Sequence, residues 1–471
     1  MGEAVSGAPG ATRRTAAGWL AAIGQHRRAV LWTLVGVGVG LRVLLVWGCP
    51  LPFGYVYDYY HESIELFYAK GRLPIATDCW QCYHPPLYYV LGVGFYAVGR
   101  WLATAGADVS VWGLRALSVM PLLAGAVTSV YSYRLVRFVL RDRGLAAVGA
   151  GIIAAFPCLF ISSYAPESDI LVAAAMAALL FYLTREFVQP GLHTWKHAVL
   201  LGVLAGLAAS AKYSGLIGLG TAGSLYAWRL LAGPDRARVV RHGVIVLLVC
   251  VVVGSYRYVD NAKRFGNPLY ANGTAGEAFS ADRQFYRDQY EFFTFRLGDL
   301  FVLARPGAPA GQLTTLPVYY SVWTSLYAMG WGDMSFFSTK GRIGDDAAPY
   351  PSKQIPPWLT ESVLVLGLVP TALALPGLLL TLRRRLYAPL LVMLLLTLGS
   401  YLPWVVAQQE WALKTKYIVF LLPIYVIYAM VGLQWMRRKW PAVAAAATLA
   451  ALMALVAASH LYLYAFSVGH L

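Results

Sequence analysis

Five places along the 471-residue chain carry side chains able to do chemistry. The first is Asp58, with His61 and Glu62 close behind it, in "YVYDYYHESIELFYAKGRLP". A carboxylate with an apolar rim and a nearby imidazole fits a general base whose pKa is raised by partial burial. It fits equally well an Asp58 that caps a helix running from about Tyr59 to Lys70. The second place is "SSYAPESDIL", where Glu167 and Asp169 read either as acids facing Asp58 across a cavity or as acids at the positive end of a helix with Pro166 in its first turn. Third, Lys212 in "SAKYSG" interrupts an apolar stretch. A cation at the membrane centre costs about 2.5–3.5 kcal/mol on insertion scales, so Lys212 has a partner anion or snorkels to the surface. Fourth, Lys414 and Lys416 in "EWALKTKYIVF" stand where a lipid phosphate would lie, or are solvated as surface cations commonly are. Last, Cys79, Cys82 and His84 in "DCWQCYH" would need Asp78 to complete a zinc set, and no second Cys/His pair lies outside the membrane. A local disulfide or two free thiols suits that spacing better. There is no GxSxG, HExxH or P-loop, so hydrolase and nucleotide-driven chemistry lack support.

The elements that must hold these residues are membrane helices. With 59% hydrophobic and 13% charged residues, the composition is that of a polytopic membrane protein. The net charge of +16 is topological. Six basic clusters fall between apolar runs: Arg13 to Arg28, Arg134 to Arg143, Arg185 with Lys196, Arg229 to Arg241, Arg383 to Arg385, and Arg437 to Lys439. They hold 20 of the 38 Lys and Arg against four acids, and the remainder of the chain is neutral. By the positive-inside rule the clusters lie in the cytoplasm. The excess charge therefore points to anionic lipid and not to nucleic acid.

Alternating the apolar runs between the clusters predicts about eleven transmembrane helices, near 29–48, 114–134, 145–161, 170–188, 198–211, 214–231, 244–259, 359–382, 388–406, 416–435 and 441–465. The N-terminal 1–28 are expected to be cytoplasmic and partly disordered. Residues 29–471 form a single transmembrane domain, with outer loops 50–113 and 260–357 roofing an outward-facing cavity. The apolar stretch from Pro86 to Ala105 would put the Arg134 to Arg143 cluster outside if it crossed, so it is expected to lie on or dip into the outer leaflet. The alternative is a true span, offset by merging 198–211 and 214–231 into one long helix broken at Lys212 and Gly215.

An Asp shortly after the first span, an amphipathic segment ending "GRLP" and then "YHPPLYY" together resemble the bacterial GT-C glycosyltransferases, the superfamily of protein O-mannosyltransferases and the lipid A aminoarabinose transferase. "LRALSVMPLLAGAVTSVY", "GLAASAKYSGL", "RFGNPLY" and "KTKYIVFLLPIY" extend the resemblance over roughly residues 30–435. It implies an all-α GT-C-like bundle with interfacial helices in the first outer loop. The implied activity is transfer of a sugar from a polyprenyl-phosphate donor to an acceptor protein, lipid or glycan at the outer face of a bacterial-type inner membrane. Asp58 then matches the catalytic acid of the first outer loop, and Glu167 or Asp169 the second acidic motif. Lys212, Lys414 and Lys416 fall where such proteins carry cations for the carrier phosphate, while His61, Glu62, His84 and Tyr88 support the cavity. Where relatives often carry a "DE" or "ED" doublet this chain has "DYYHE", which gives a divalent metal no support; no cofactor is implied. A transporter or flippase of lipid-linked sugars is the competing class, but it would gather its polar residues near the midplane in paired broken helices.

The threading is open to a direct check. In a background without accessible native thiols, Gly106→Cys should react with an impermeant maleimide from the outside, and Asp142→Cys only after permeabilisation. The opposite result at either position contradicts the path given for residues 86–143.

Overall fold

The computed structural model describes residues 27–48, 60–103, 107–189, 194–233, 235–271, 292–301, 321–332, 355–408 and 414–468. Asp58, the N-terminal 1–26 and most of the 260–357 loop lie outside the described residues. Among the described residues the fold is all helical, with no strand. A helix closes every backbone hydrogen bond within itself, which is what a chain this apolar requires in lipid.

The bundle begins with α1 (Arg27–Gly48), α2 (Tyr60–Lys70), α3 (Leu87–Leu102), α4 (Val109–Leu117) and α5 (Val119–Leu140). It continues with α6 (Arg143–Ala155), α7 (Pro157–Ser162), α8 (Asp169–Val188), α9 (Trp195–Ala211), α10 (Leu216–Ala232) and α11 (Arg236–Gly254). Then come α12 (Tyr256–Phe265), α13 (Val322–Trp331), α14 (Pro357–Thr381), α15 (Ala388–Gln408), α16 (Leu422–Lys439) and α17 (Ala442–Val468). A 3-10 segment, Thr415–Leu421, leads into α16.

Each of the eleven expected spans has a helix at its place, but seven are long and apolar enough to cross a membrane among the described residues. These cover 109–140, 169–188, 236–254, 358–381, 385–406, 415–439 and 442–467. The count of eleven goes beyond what length and apolarity establish, for a local reason in each broken case. Pro157 cannot continue the hydrogen-bond ladder, so the run expected at 145–161 divides into α6 and α7. The two runs expected at 198–211 and 214–231 are separate helices of 17 residues each, divided at Lys212, whose extended backbone (φ −162°, ψ 157°) ends α9. The 3-10 turn Tyr213–Gly215 then passes so close to α9 that a Cβ on Gly215 would meet the Ala208 carbonyl oxygen at 1.9 Å. Helix α3 is 16 residues long, about 24 Å at 1.5 Å per residue, and so falls short of a hydrocarbon core of about 30 Å. It packs on α2 and α4 through Ile64, Tyr88, Tyr96, Leu114 and Leu117.

Helix α8 is the interior post of the bundle. It packs against α5, α9 and the Thr415–Leu421 turn, and most of its side chains are buried. Helices α11 and α17 are peripheral, with Leu247, Leu248, Val252 and Leu461 turned outward to where lipid would lie. Small residues bring α11 onto α9: a Cβ on Gly202 or Gly206 would lie 2.7 Å from the Cβ of Val249 or Val253. This close seam fixes where α9 ends, and thus where Lys212 emerges.

Candidate active site

Three segments distant in sequence meet at one end of α8. Helix α8 starts at Asp169, and the turn before it carries Glu167. The break after α9 supplies Lys212, and the 3-10 segment before α16 supplies Lys414 and Lys416. All five side chains are at most 9% exposed. Lys212 Nζ donates to Asp169 Oδ1 at 2.7 Å, and Lys416 Nζ to Glu167 Oε2 at 2.5 Å. The ring of Tyr417 stands among the ammonium groups, with Lys212 Nζ 4.4 Å from its centroid and Lys414 and Lys416 each at 5.7 Å. Such cation–π contacts are worth about 0.5–2 kcal/mol, more as the site is drier.

The acids at the start of α8 read either as facing Asp58 or as helix caps; Asp58 lies outside the described residues, and the geometry shows ion pairing in place of side-chain capping. The N-cap residue, Ser168, makes no side-chain capping bond. Glu167 and Asp169 instead point into the cluster, where each faces an ammonium group. Lys212 does not snorkel. Lys414 and Lys416 are not solvated surface cations either, because the 3-10 turn carries them inward until they are 5% and 4% exposed. Among the described residues the cluster gathers three ammonium groups and two carboxylates. The second oxygen of Asp169, Oδ2, is buried without a hydrogen-bond partner, so an incoming hydroxyl could donate to it.

The segment from α2 to the start of α3 closes over this cluster. Tyr60, the first residue of α2, places its hydroxyl 3.0 Å from His84 Nε2 and 3.3 Å from Lys212 Nζ, and its ring stacks on His84 at 5.4 Å. Tyr88 donates to the Pro166 carbonyl at 2.5 Å, which pins the turn bearing Glu167. His84 and Tyr88 therefore both lie against residues that adjoin the cluster. His61 and Glu62 lie on α2, where burial holds the His61 imidazole below its ordinary pKa, and so neutral at pH 7, and pushes the Glu62 carboxyl upward. Asp58 lies outside the described residues, two positions ahead of Tyr60.

The stretch between α2 and α3 is held by a local disulfide, one of the two states that the spacing suited, and by groups that sequence reasoning passed over. Cys79 and Cys82 are joined as a disulfide. Arg257 on α12 is fully buried and donates to the carbonyls of Pro74 (2.7 Å) and His84 (3.1 Å) while facing Asp260 at 3.4 Å. The available signal was an Arg directly after an apolar run with an Asp three residues on, in "GSYRYVDN". Tyr213 approaches the Tyr83 and Tyr270 carbonyls at 2.9 and 3.0 Å. Tyr417 was hidden between neighbours that read as a span. Among the described residues no group of three or more His, Cys, Asp and Glu is arranged to hold a metal ion.

The same helices that carry the site carry basic clusters at their other ends. Asp169 opens α8 and Arg185 closes it; Lys212 follows α9 and Lys196 opens it; Lys416 precedes α16 and Arg437 to Lys439 close it. The 20 residues of α8 separate the two ends by about 30 Å.

Residues 97–256 match the family model described as dolichyl-phosphate-mannose-protein mannosyltransferase. No curated protein matches the chain. The oligosaccharyltransferase of Archaeoglobus fulgidus, solved with Zn and sulfate, is similar in structure, with a TM-score of 0.54 at 18% identity, over 93% of this chain and 53% of that one. The chain has the GT-C fold. The same archaeal enzyme tethered to an acceptor peptide containing the NVT sequon aligns with a TM-score of 0.54, 15% identity, and 93% and 55% coverage. The chain thus spans about half the length of the oligosaccharyltransferase it matches. ArnT from Cupriavidus metallidurans bound to undecaprenyl phosphate aligns over 93% of this chain and 76% of its own at 13% identity, with a TM-score of 0.44, too low to add to the fold assignment.

The Lys416–Glu167 pair makes a strong demand on folding. Removing one partner of a buried pair leaves the other charge uncompensated, at a cost of about 3–5 kcal/mol. Lys416→Met and Glu167→Gln should each lower the thermal midpoint sharply, and the double variant should recover much of that loss. A double variant that loses the full sum of the two would mean that the partners do not depend on each other.

Proposed function

We propose that the chain is a glycosyltransferase that takes a sugar from a polyprenyl-phosphate donor and passes it to an acceptor hydroxyl or amide at the outer face of the membrane. The observation that carries this reading is the buried cluster of Lys212, Lys414 and Lys416 with Glu167 and Asp169, set at the helix ends opposite the basic clusters. By the positive-inside rule the basic ends are cytoplasmic and the cluster faces outward. Its three ammonium groups, gathered in surroundings of low dielectric, suit a lipid phosphate.

A phosphate leaving group already carries negative charge, so it needs cations more than a proton donor, whereas the acceptor needs one base. Glu167 and Asp169 are each engaged by a lysine, so we assign them to holding the cations in place, with Asp169 Oδ2 able to accept from a donor or acceptor hydroxyl. The base is then Asp58, on the motif that follows the first span. Tyr60, two residues on, ties that end of the loop to Lys212. The family match to residues 97–256, described for a mannosyltransferase that uses a lipid-phosphate sugar, supports the donor class. A bacterial-type inner membrane and an acceptor that is a protein, a lipid or a glycan belong to the same reading.

Free polyprenyl phosphate is the product common to every sugar and acceptor, so its release is the readout. With polyprenyl-phosphate sugars and a membrane extract as acceptor source, the full chain should release it. Asp58→Asn should fold normally and lose about 10²–10⁴-fold in turnover, the usual scale for a general base. Lys414→Ala should raise KM with kcat nearly unchanged, because contact with the phosphate is made in both ground and transition states. Near wild-type turnover by Asp58→Asn would remove the base assignment. Passage of intact lipid-linked sugar across vesicles without cleavage would replace the enzyme with a transporter.

A further inference from the structure

A second built site lies at the other end of the bundle. A cavity of about 700 Å³ opens between the C-terminal turns of α5 and α8, and its lining includes Arg134, Arg137, Arg141 and Arg185 together with Tyr133 and Tyr182. Among the described residues no carboxylate lines it. The two acids nearest in sequence are turned elsewhere. Asp142 accepts from the amides of Gly144 and Leu145 at 2.9 and 3.0 Å and faces Arg437 at 3.9 Å. Glu186 is buried on the far side of α8, where it accepts from the Tyr226 hydroxyl at 2.9 Å. The helix C-termini there contribute about half a negative charge each, well short of four guanidinium charges.

The outward face of α5 leads into this cavity as a single stripe. Its exposed residues are Val119, Leu123, Val127 and Val130, each 37–50% exposed, followed by Arg134, Arg137 and Arg141 at the same three-and-four spacing. One helix face is therefore apolar along most of its length and cationic at its end, the profile of a lipid with acyl chains above a phosphate. Arg134 and Arg185 lie over the rings of Tyr131 and Phe181 at 5.3 and 5.5 Å, which holds their forks at the rim. Arg141 adds an independent sign. Its φ of 58° is the one left-handed non-glycine backbone among the described residues, at the C-cap of α5 where glycine is the favoured residue. The chain accepts that strain and sets a guanidinium at the cavity mouth.

We infer that this cavity, lined by Arg134, Arg137, Arg141 and Arg185, binds the phosphate headgroup of an anionic phospholipid of the cytoplasmic leaflet, with its acyl chains along the Val119–Val130 face of α5. The site stands apart from the Lys212–Lys416 cluster, at the far end of α8, and takes its ligand as a resident lipid.

Native mass spectrometry of the full chain in detergent tests this with three probes: dioleoyl phosphatidylglycerol, dioleoyl phosphatidylcholine and inorganic phosphate. Phosphatidylglycerol should bind saturably, and neither of the others should displace it. Arg137→Gln with Arg185→Gln should weaken it by about five-fold per guanidinium removed. Arg141→Gly should also weaken it while melting no lower than the wild type, since glycine relieves the left-handed strain; this separates loss of the site from loss of the fold. Equal retention of phosphatidylglycerol by wild type and variants would overturn the proposal. So would phosphatidylcholine binding as tightly, which would leave only an apolar groove, or displacement by inorganic phosphate, which would make the ligand soluble.

Discussion

Ammonium and carboxylate groups buried together in an apolar bundle must be paired, and that constraint organises this chain. Isolated, either charge would cost several kcal/mol after relaxation. The pairs Lys212–Asp169 and Lys416–Glu167 meet the constraint by joining three segments that are 43 and 249 residues apart in sequence. Each pair needs the backbone to be irregular at its cation: α9 must stop at Lys212, and α16 must be preceded by a 3-10 turn that carries Lys416 inward. Buried pairs of this kind contribute little to stability compared with an apolar core of the same volume. Their presence here is better understood as fixing where charge stands.

The close seam of α9 on α11, the contact of Gly215 with Ala208 and the grip of Arg257 on the Pro74 and His84 carbonyls all serve that placement. Each holds a segment that carries or covers a member of the cluster. The bundle has a second electrostatic feature at its opposite end, where arginines gather around the ends of α5 and α8 in a cavity that, among the described residues, no carboxylate lines. Charge thus differs between the helix ends, with the lysine–carboxylate pairs buried at one and the arginines at the end of α5 exposed at the other. By the positive-inside rule that difference would orient the chain in a membrane, and we propose that each end takes its own kind of anion.

Much of this was legible in the sequence, because membrane helices announce themselves by apolar length and because charges in such runs are rare enough to be conspicuous. Lys212, Glu167, Asp169, Lys414 and Lys416 stood out for that reason, and the fold brings all five together. Their pairing was not legible. Whether Lys416 is solvated or buried depends on a 3-10 turn in "KTKYIVF" that has no distinct period, and the partner of Lys416 lies 249 residues away. Aromatic and arginine residues with structural duties, Tyr60, Tyr417 and Arg257, were lost among many similar neighbours, since a hydroxyl or guanidinium reveals its role only through the carbonyl or ammonium it meets. The number of crossings is left open by length and apolarity, since hydropathy does not register that Pro157 interrupts the run at 145–161. Asp58 rests on its motif and its position two residues before Tyr60.

The central claim is that the buried lysine cluster and Asp58 serve one lipid-phosphate site. It is tested most directly by an electron cryo-microscopy structure of the full chain in nanodiscs with undecaprenyl phosphate. The account predicts the phosphate within hydrogen-bonding distance of at least two of the ammonium groups of Lys212, Lys414 and Lys416, with the Asp58 carboxylate opening onto the same cavity. A phosphate seated elsewhere, with both lysine–carboxylate pairs undisturbed and Asp58 turned away from the cavity, would contradict it.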